Sequence, residues 1–265
     1  MAPVAGAVFG RPGSSDTMFE STLPFGEPDL MRASAFRRYL GESSRNSDLD
    51  AGASRLSTLS PSLAMDLMRF EQEGRQGGVL EILAACIRHS RNVLVHLQAG
   101  ERMVPLTVYP VQHLVHCPMS MAQFLALPLG ELDVLHVEPA VLRPPGDALR
   151  ALVGEAEHYV ALAPLLWELA LRGPRDELLP EISGQAAYRI SPGLNLRVLD
   201  LSGTMAAAVY RLQRDTTNLR DMSQWAGFDR ERAMRLLNGL YLQAGLMVSR
   251  THPAATNEGW SAGRK

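Results

Sequence analysis

The sequence predicts an α+β protein in which a small antiparallel sheet module with flanking helices precedes a mainly helical C-terminal domain. Three observations predict this architecture. Apolar residues alternate with period two in several runs within residues 93–138, as in half-buried strands. Apolar residues at helical spacing dominate residues 147–250. Residues 1–60 show neither period, and a third of them are Ser, Gly or Pro.

Composition limits the classes of function. The chain has 265 residues, enough for two ordinary domains, and a formal net charge of -2. This charge excludes a global attraction to nucleic acid or anionic lipid, so such binding needs a local basic patch. Two cysteines, no signal-peptide pattern and no run of about 18 apolar residues predict a cytoplasmic protein without membrane insertion. Arginine makes up all basic residues except Lys265, a bias typical of GC-rich bacterial genomes.

Residues 1–60 are predicted to be a disordered tail that contains a partner-binding motif. Disordered segments are normally poor in aromatic residues, yet the run "MFESTLPFGEPDLMRASAFRRYL" contains Phe19, Phe25, Phe36 and Tyr39. Aromatic anchors separated by polar residues are typical of segments that fold onto a partner or back onto their own protein. The alternative is an unstructured tail in which these aromatics are incidental.

Residues 61–143 are predicted to form the sheet module. Ser60 and Pro61 are suited to the N-cap and first position of a helix, and Gly77 and Gly78 interrupt the chain after it. A buried helix, three strands, a short helix and a closing strand follow before Pro144 and Pro145 mark a domain boundary. Their sequences are "VLEILAACIRHS", "NVLVHLQ", "MVPLTVY", "VQHLVHC", "PMSMAQFLAL" and "LDVLHVEP".

Residues 147–250 are predicted to form the helical domain, followed by a flexible tail over residues 251–265. The first helical pattern, "DALRALVGEAEHYVALAPLLWELALRG", is bent or broken at Pro164. Three shorter helices follow at roughly 203–213, 218–226 and 229–243, and "LMVSR" reads as a strand.

The segment 217–250 resembles a winged helix. A short helix ends at Gly227, Asp229 caps a longer helix, and a strand follows. In the DNA-binding version of this motif, exposed residues of the second helix enter the major groove. Arginine grips guanine edges or phosphates and asparagine pairs with adenine, so the candidates are Arg230, Arg232, Arg235 and Asn238.

The charge around this segment argues against DNA as its partner. Residues 201–250 have a net charge of only +3, and the predicted wing "THPAATNEGWSAG" has no basic residue. Phosphate contacts dominate the affinity of proteins for DNA, so nucleic-acid binding is the alternative function and protein binding is favoured.

No residue pattern predicts a catalytic, metal or cofactor site. In "HLVHC", strand alternation puts His113 and Cys117 on one face, where His96 or His136 of neighbouring strands could join them as metal ligands. Ordinary polar histidines and a small buried cysteine are the favoured interpretation. Nucleophile, Walker and dinucleotide-binding motifs are absent from the sequence, so we expect a protein that is not an enzyme.

Residues 79–138 resemble a divergent PATAN-type domain. The similarity consists of a helix, a strand "NVLVHL", a hairpin, and a strand "HLVHC" before a helix; Asn92 stands where a typical member has glycine. The resemblance implies a bacterial signalling adaptor that binds other proteins and has no catalytic residues. Partners implied by it are small Ras-like GTPases, response regulators and components of type IV pilus or surface-motility control.

The expected function is therefore a non-enzymatic regulatory adaptor or scaffold that acts by protein contacts. The alternative is a winged-helix transcription regulator. A homodimer is compatible with both functions.

Overall fold

The computed structural model describes residues 30–47, 59–72, 78–195, 199 and 201–257. The predicted anchors Phe19 and Phe25 and most of the predicted C-terminal tail lie outside these residues. No helix in this part of the chain is long and apolar enough to cross a membrane. The elements are α1 (Ala33–Ser47), α2 (Pro61–Gln72), α3 (Val79–His89), β1 (Val93–Ala99), β2 (Arg102–Tyr109), β3 (Leu114–His116), α4 (Met121–Leu125), β4 (Asp133–Pro139), β5 (Tyr159–Ala161), α5 (Leu162–Arg172), β6 (Gln185–Ile190), α6 (Gly203–Arg214), α7 (Leu219–Met222), α8 (Arg230–Leu242), β7 (Leu246–Ser249) and β8 (Thr256–Asn257).

An antiparallel five-stranded sheet in the order β4-β1-β2-β3-β5 confirms the predicted mixture of helix and antiparallel sheet. The β1–β2 hairpin turns at Gly100, which has a φ of +59°, a conformation that glycine adopts without strain. Strand alternation buries Val93, Val95 and Leu97 of β1 on the inner face, and the residues between them face the other side. The inner face belongs to the hydrophobic core that α3 and α5 also form.

The predicted domain boundary at Pro144 and Pro145 is wrong, because the sheet continues beyond it. Strand β5 pairs with β3 and leads directly into α5. The prediction of a helix starting near residue 147 is also wrong, since residues 150–158 contain two short 3-10 turns and no α-helix. Helix α5 begins at Leu162, so Pro164 lies in its first turn, where the missing N–H leaves no helical hydrogen bond unmade. The residues on both sides of the predicted boundary share one sheet and one core.

The C-terminal part contains α6, α7 and α8 and a three-stranded sheet in the order β7-β6-β8. The three helices and β7 lie where the sequence predicts them, although α7 is shorter. The predicted cap is confirmed, because the Asp229 carboxylate accepts a hydrogen bond of 2.7 Å from the Arg232 N–H. Strand β6 was predicted as irregular chain. Its central position in this sheet depends on pairing with segments more than 50 residues later.

Helices α5 and α8 pack closely because a tryptophan of α5 faces a glycine of α8. Trp167 of α5 is buried, and it lies against Gly239 of α8. A Cβ added at Gly239 would lie 2.9 Å from two atoms of the Trp167 ring, closer than real Cβ contacts. The Gln243 amide also donates a hydrogen bond of 2.8 Å to the carbonyl of Ala163. These contacts join the five-stranded sheet to the C-terminal helices.

The connection between α5 and β6 is held by polar side chains from both parts of the chain. Asn238 is buried; its amide accepts from the Leu179 N–H and donates to the Glu177 carbonyl, both at 2.8 Å. Arg175 of this connection forms a buried ion pair with Glu81 of α3. Because buried polar groups need such partners, the connection has a fixed conformation.

Within residues 1–60, which the sequence predicts to be mostly disordered, Ala33–Ser47 form helix α1. Residues 31–33 pair with the edge of the β1–β2 hairpin: the Met103 N–H donates to the Met31 carbonyl and the Ala33 N–H to the Glu101 carbonyl, both at 2.8 Å. Ala33 and Phe36 of the helix are buried. Apolar burial and backbone pairing stabilise this segment although the surrounding composition favours disorder.

We expect Gly239→Ala to lower the free energy of unfolding by about 1 to 3 kcal/mol, because the new methyl group overlaps the Trp167 ring. The matched control is Gly41→Ala in α1, where an added Cβ meets nothing within 4 Å. That change should leave the free energy of unfolding unchanged or raise it by up to about 1 kcal/mol. Urea denaturation measures both; equal effects of the two substitutions would contradict the close α5–α8 packing.

Candidate functional site

The outer face of the five-stranded sheet, opposite the core, has polar side chains beside apolar ones such as Met103 and Tyr109. Strand pairing places His96 of β1 directly beside His136 of β4 and Pro105 of β2. The same alternation brings further polar residues to this face: Gln98, Thr107, Glu138 and His116. A buried apolar core occupies the inner face, so this outer face is where the sheet can present chemistry.

Helix α1 lies on the β1–β2 part of this face. The Phe36 ring packs on the His96 imidazole, with ring centroids 4.5 Å apart. The Arg37 guanidinium donates a hydrogen bond to Oε1 of Gln98. Together with the backbone pairing at Glu101 and Met103, these contacts define the α1 seat: His96, Gln98, Glu101 and Met103.

His96 is the unusual residue of the α1 seat. It is 7% exposed, and its Nδ1 is buried with no hydrogen-bond partner among the described residues. Its Nε2 lies 3.7 Å from Oε1 of Glu138, which is partly exposed, and its ring stacks on His136 at 5.9 Å. Burial, and to a smaller extent the neighbouring His136, lowers the pKa of His96 to about 4. A neutral imidazole at pH 7 suits the aromatic contact with Phe36.

The two predicted aromatic anchors on α1 face opposite ways. Phe36 is 6% exposed and faces the sheet, whereas Tyr39 is 61% exposed, although their ring centroids are only 6.4 Å apart. Met31 is also exposed, at 49%. For Phe36, the interpretation of a motif that folds back onto the chain is therefore correct. Tyr39 remains available on the outer surface of the helix.

The four residues predicted to contact DNA do not form one exposed face. Asn238 is fully buried, and its amide holds Glu177 and Leu179, so its assignment as a base-reading residue is wrong. Arg235 donates to the Gly173 carbonyl and to Glu231. The helical stripe predicted the buried positions of α8 but not that an asparagine would occupy one of them.

The two remaining arginines of that set are exposed. Arg232 donates to the Gly227 carbonyl at 2.9 Å and its guanidinium lies 5.3 Å from the centre of the Phe228 ring. Arg230 lies at the start of α8. Two exposed arginines on one helix are a small basic surface for phosphate contacts.

The histidines and cysteine considered as metal ligands do not converge. His113 is exposed in the turn before β3, and Cys117 is buried in the core, where burial raises the pKa of its thiol to about 11. His96 and His136 lie on the outer face of the sheet. Within the described ranges, one group of three metal-type side chains has its ligand atoms within 4.8 Å of one another: Glu155, Glu157 and His158. Both glutamates are solvent-exposed, as surface acids commonly are.

The sequence predicted Phe36 and Tyr39 as interaction residues but considered His96 only as a metal ligand. Alternation along β1 already places His96 opposite Val95 and Leu97, and this was the signal for an outer-face residue. His96 and Phe36 are 60 positions apart in the sequence, and no local pattern predicts a contact between residues so far apart.

Comparison of the chain with protein-family models, with curated proteins and with solved structures gives no match. The assignment of function therefore depends on the geometry of the described residues.

We expect acid to weaken the attachment of α1. A group whose pKa falls on folding favours the folded state at pH values above its pKa in the unfolded chain, which is 6.5 for His96. This contribution to the free energy of unfolding is lost as the pH falls toward 4, the pKa of His96 in the folded chain. For His96, the loss between pH 7 and pH 5 is about 2 kcal/mol. After burial, the second cause of the lowered pKa of His96 is the neighbouring His136.

Urea denaturation at pH 7 and pH 5, for the natural chain and for His96→Phe, measures this contribution. The variant keeps an aromatic ring against Phe36 and has no titratable group there, so it should lose about 2 kcal/mol less on acidification. Parallel losses in the two proteins would show that His96 is not the group responsible.

Proposed function

We propose that this chain is a non-enzymatic bacterial regulatory adaptor that acts by protein contacts, with α1 as a partner-binding element. The observation that carries the proposal is the opposite placement of two adjacent rings on α1. Phe36 is buried against the sheet, while Tyr39 is exposed beside Arg38. Tyrosine and arginine are the residues most enriched among those that contribute strongly to protein interfaces.

A helix held on a sheet is well suited to binding. Its backbone and its orientation are already fixed by Phe36, Arg37 and the pairing of residues 31–33, so a partner does not have to order it. Association loses less affinity to conformational entropy when the binding element is ordered beforehand. The outer surface of α1 and of the residues just before it has both apolar and basic side chains, Met31 and Tyr39 beside Arg32 and Arg38.

The elements α3, β1 to β3, α4 and β4 are those on which the sequence resemblance to PATAN-type domains rests. On that basis the partner is a small Ras-like GTPase, a response regulator or a component of type IV pilus or surface-motility control. We also propose that α7, α8 and β7 form a winged-helix-like unit, and such units also serve as protein docking modules. DNA binding has less support, because Asn238 is buried and Arg235 holds the Gly173 carbonyl.

Affinity capture from nuclease-treated extract of the native host, followed by binding assays with the purified partner, tests the proposal. Tyr39→Ala should lower the affinity for that partner at least tenfold, because it removes an exposed aromatic anchor without touching the core. Tyr210→Ala is the matched control, since Tyr210 is an equally exposed tyrosine, at 62%, on α6. An unchanged affinity for Tyr39→Ala would remove α1 from the proposed interface.

A further inference from the structure

The outer face of the sheet holds α1 through few side chains. Of the α1 residues whose side chains the structure describes, Ala33 and Phe36 are buried. Leu40, and Leu30 just before the helix, are partly buried. Phe36 supplies most of the apolar contact. Because the seat recognises one aromatic ring, one arginine and a short run of backbone, another helix with the same features fits it equally well.

One polar atom of the α1 seat has no hydrogen-bond partner while α1 occupies it. Nδ1 of His96 is buried, and α1 offers it no hydrogen-bond partner. Burying an unpaired imidazole nitrogen opposes docking of α1, since that atom is hydrogen-bonded to water when the seat is open. An occupant that brings a polar atom to Nδ1 avoids this penalty and therefore competes with α1.

The charged residues around the seat determine which sign of charge its occupant should carry. Glu101 of the seat and Asp133 beside Gln98 are exposed, Glu138 lies 3.7 Å from the neutral His96, and the exposed Arg102 is the basic residue between Glu101 and Met103. These three carboxylates outnumber the Arg102 cation, and Arg37 of α1 reaches this region through its hydrogen bond to Gln98. A basic helix is thus attracted and an acidic helix repelled.

We infer that the α1 seat is an exchangeable helix-binding site, which takes up a basic amphipathic helix of a partner protein in place of α1. The helix that fits presents an aromatic residue to His96 and an arginine at the next position to Gln98. The inference rests on the proposed adaptor function for the nature of the occupant, while the chemistry of the site rests on the contacts of α1 itself.

A labelled peptide of residues 30–47 is the probe, added to the purified full-length chain and followed by fluorescence anisotropy. In the natural chain, α1 competes at an effective concentration on the order of millimolar, so the peptide should bind weakly. Phe36→Ala in the chain weakens the internal competitor and leaves the seat unchanged, so the peptide should bind at least tenfold more tightly. Tyr39→Ala in the chain is the control and should bind the peptide as the natural chain does.

Three outcomes would overturn the inference. They are equal peptide affinity for the natural and Phe36→Ala chains, equal binding of a peptide carrying Phe36→Ala, and a dimer formed by exchange of α1 between copies of the natural chain, seen by size-exclusion chromatography. Ala33→Asp provides a second way to release α1, should Phe36→Ala perturb folding, because Ala33 is a buried residue of α1 itself. Peptide exchange without any effect of Tyr39→Ala on partner capture would contradict the proposed partner-binding role of α1 and leave the exchangeable site standing.

Discussion

The packing of α5 against α8 is the contact on which the rest of the structure depends. Helix α5 begins immediately after β5, so its start is fixed to the five-stranded sheet. Its Trp167 then lies against Gly239, a position where even a methyl group would overlap the ring. The sheet and the C-terminal helices are thereby parts of one core, and the inner face of the sheet is fully used. The outer face is left for α1.

This arrangement is compatible with the two roles proposed for α1, one in the fold and one in recognition. On the inner side of α1, Phe36 contacts a histidine that burial keeps neutral, and a neutral imidazole accepts an aromatic neighbour without the cost of burying a charge. On the outer side, Tyr39 contributes little to the fold and is free of the constraints of packing. In the proposed function, stability and recognition therefore depend on different residues of α1.

Local patterns predicted much of this fold. Alternation along β1 and β2 and the apolar stripe of α8 predicted these elements, and the Asp229 cap followed from a single residue next to an apolar helical run. Strands β5 and β6 were missed, because β5 has three residues and β6 is stabilised by pairing with distant segments. The contact of Trp167 with Gly239 and the buried role of Asn238 are also long-range, and periodicity does not report them.

The candidate site was predicted in part. Phe36 and Tyr39 were identified from their unusual place in a Ser- and Gly-rich segment, but the average composition of residues 1–60 concealed α1. A signal was present, since Ala33, Phe36 and Leu40 follow helical spacing. Nothing local indicates that this helix lies on His96.

The most direct test of the account is a nuclear Overhauser experiment on the full-length chain at pH 7, with the aromatic protons of Phe36 and His96 assigned. Ring centroids 4.5 Å apart predict clear cross-peaks between these two side chains. Their presence would establish that α1 occupies its seat in solution. Their absence, together with a His96 that titrates near its ordinary pKa of 6.5, would show that the helix does not lie there.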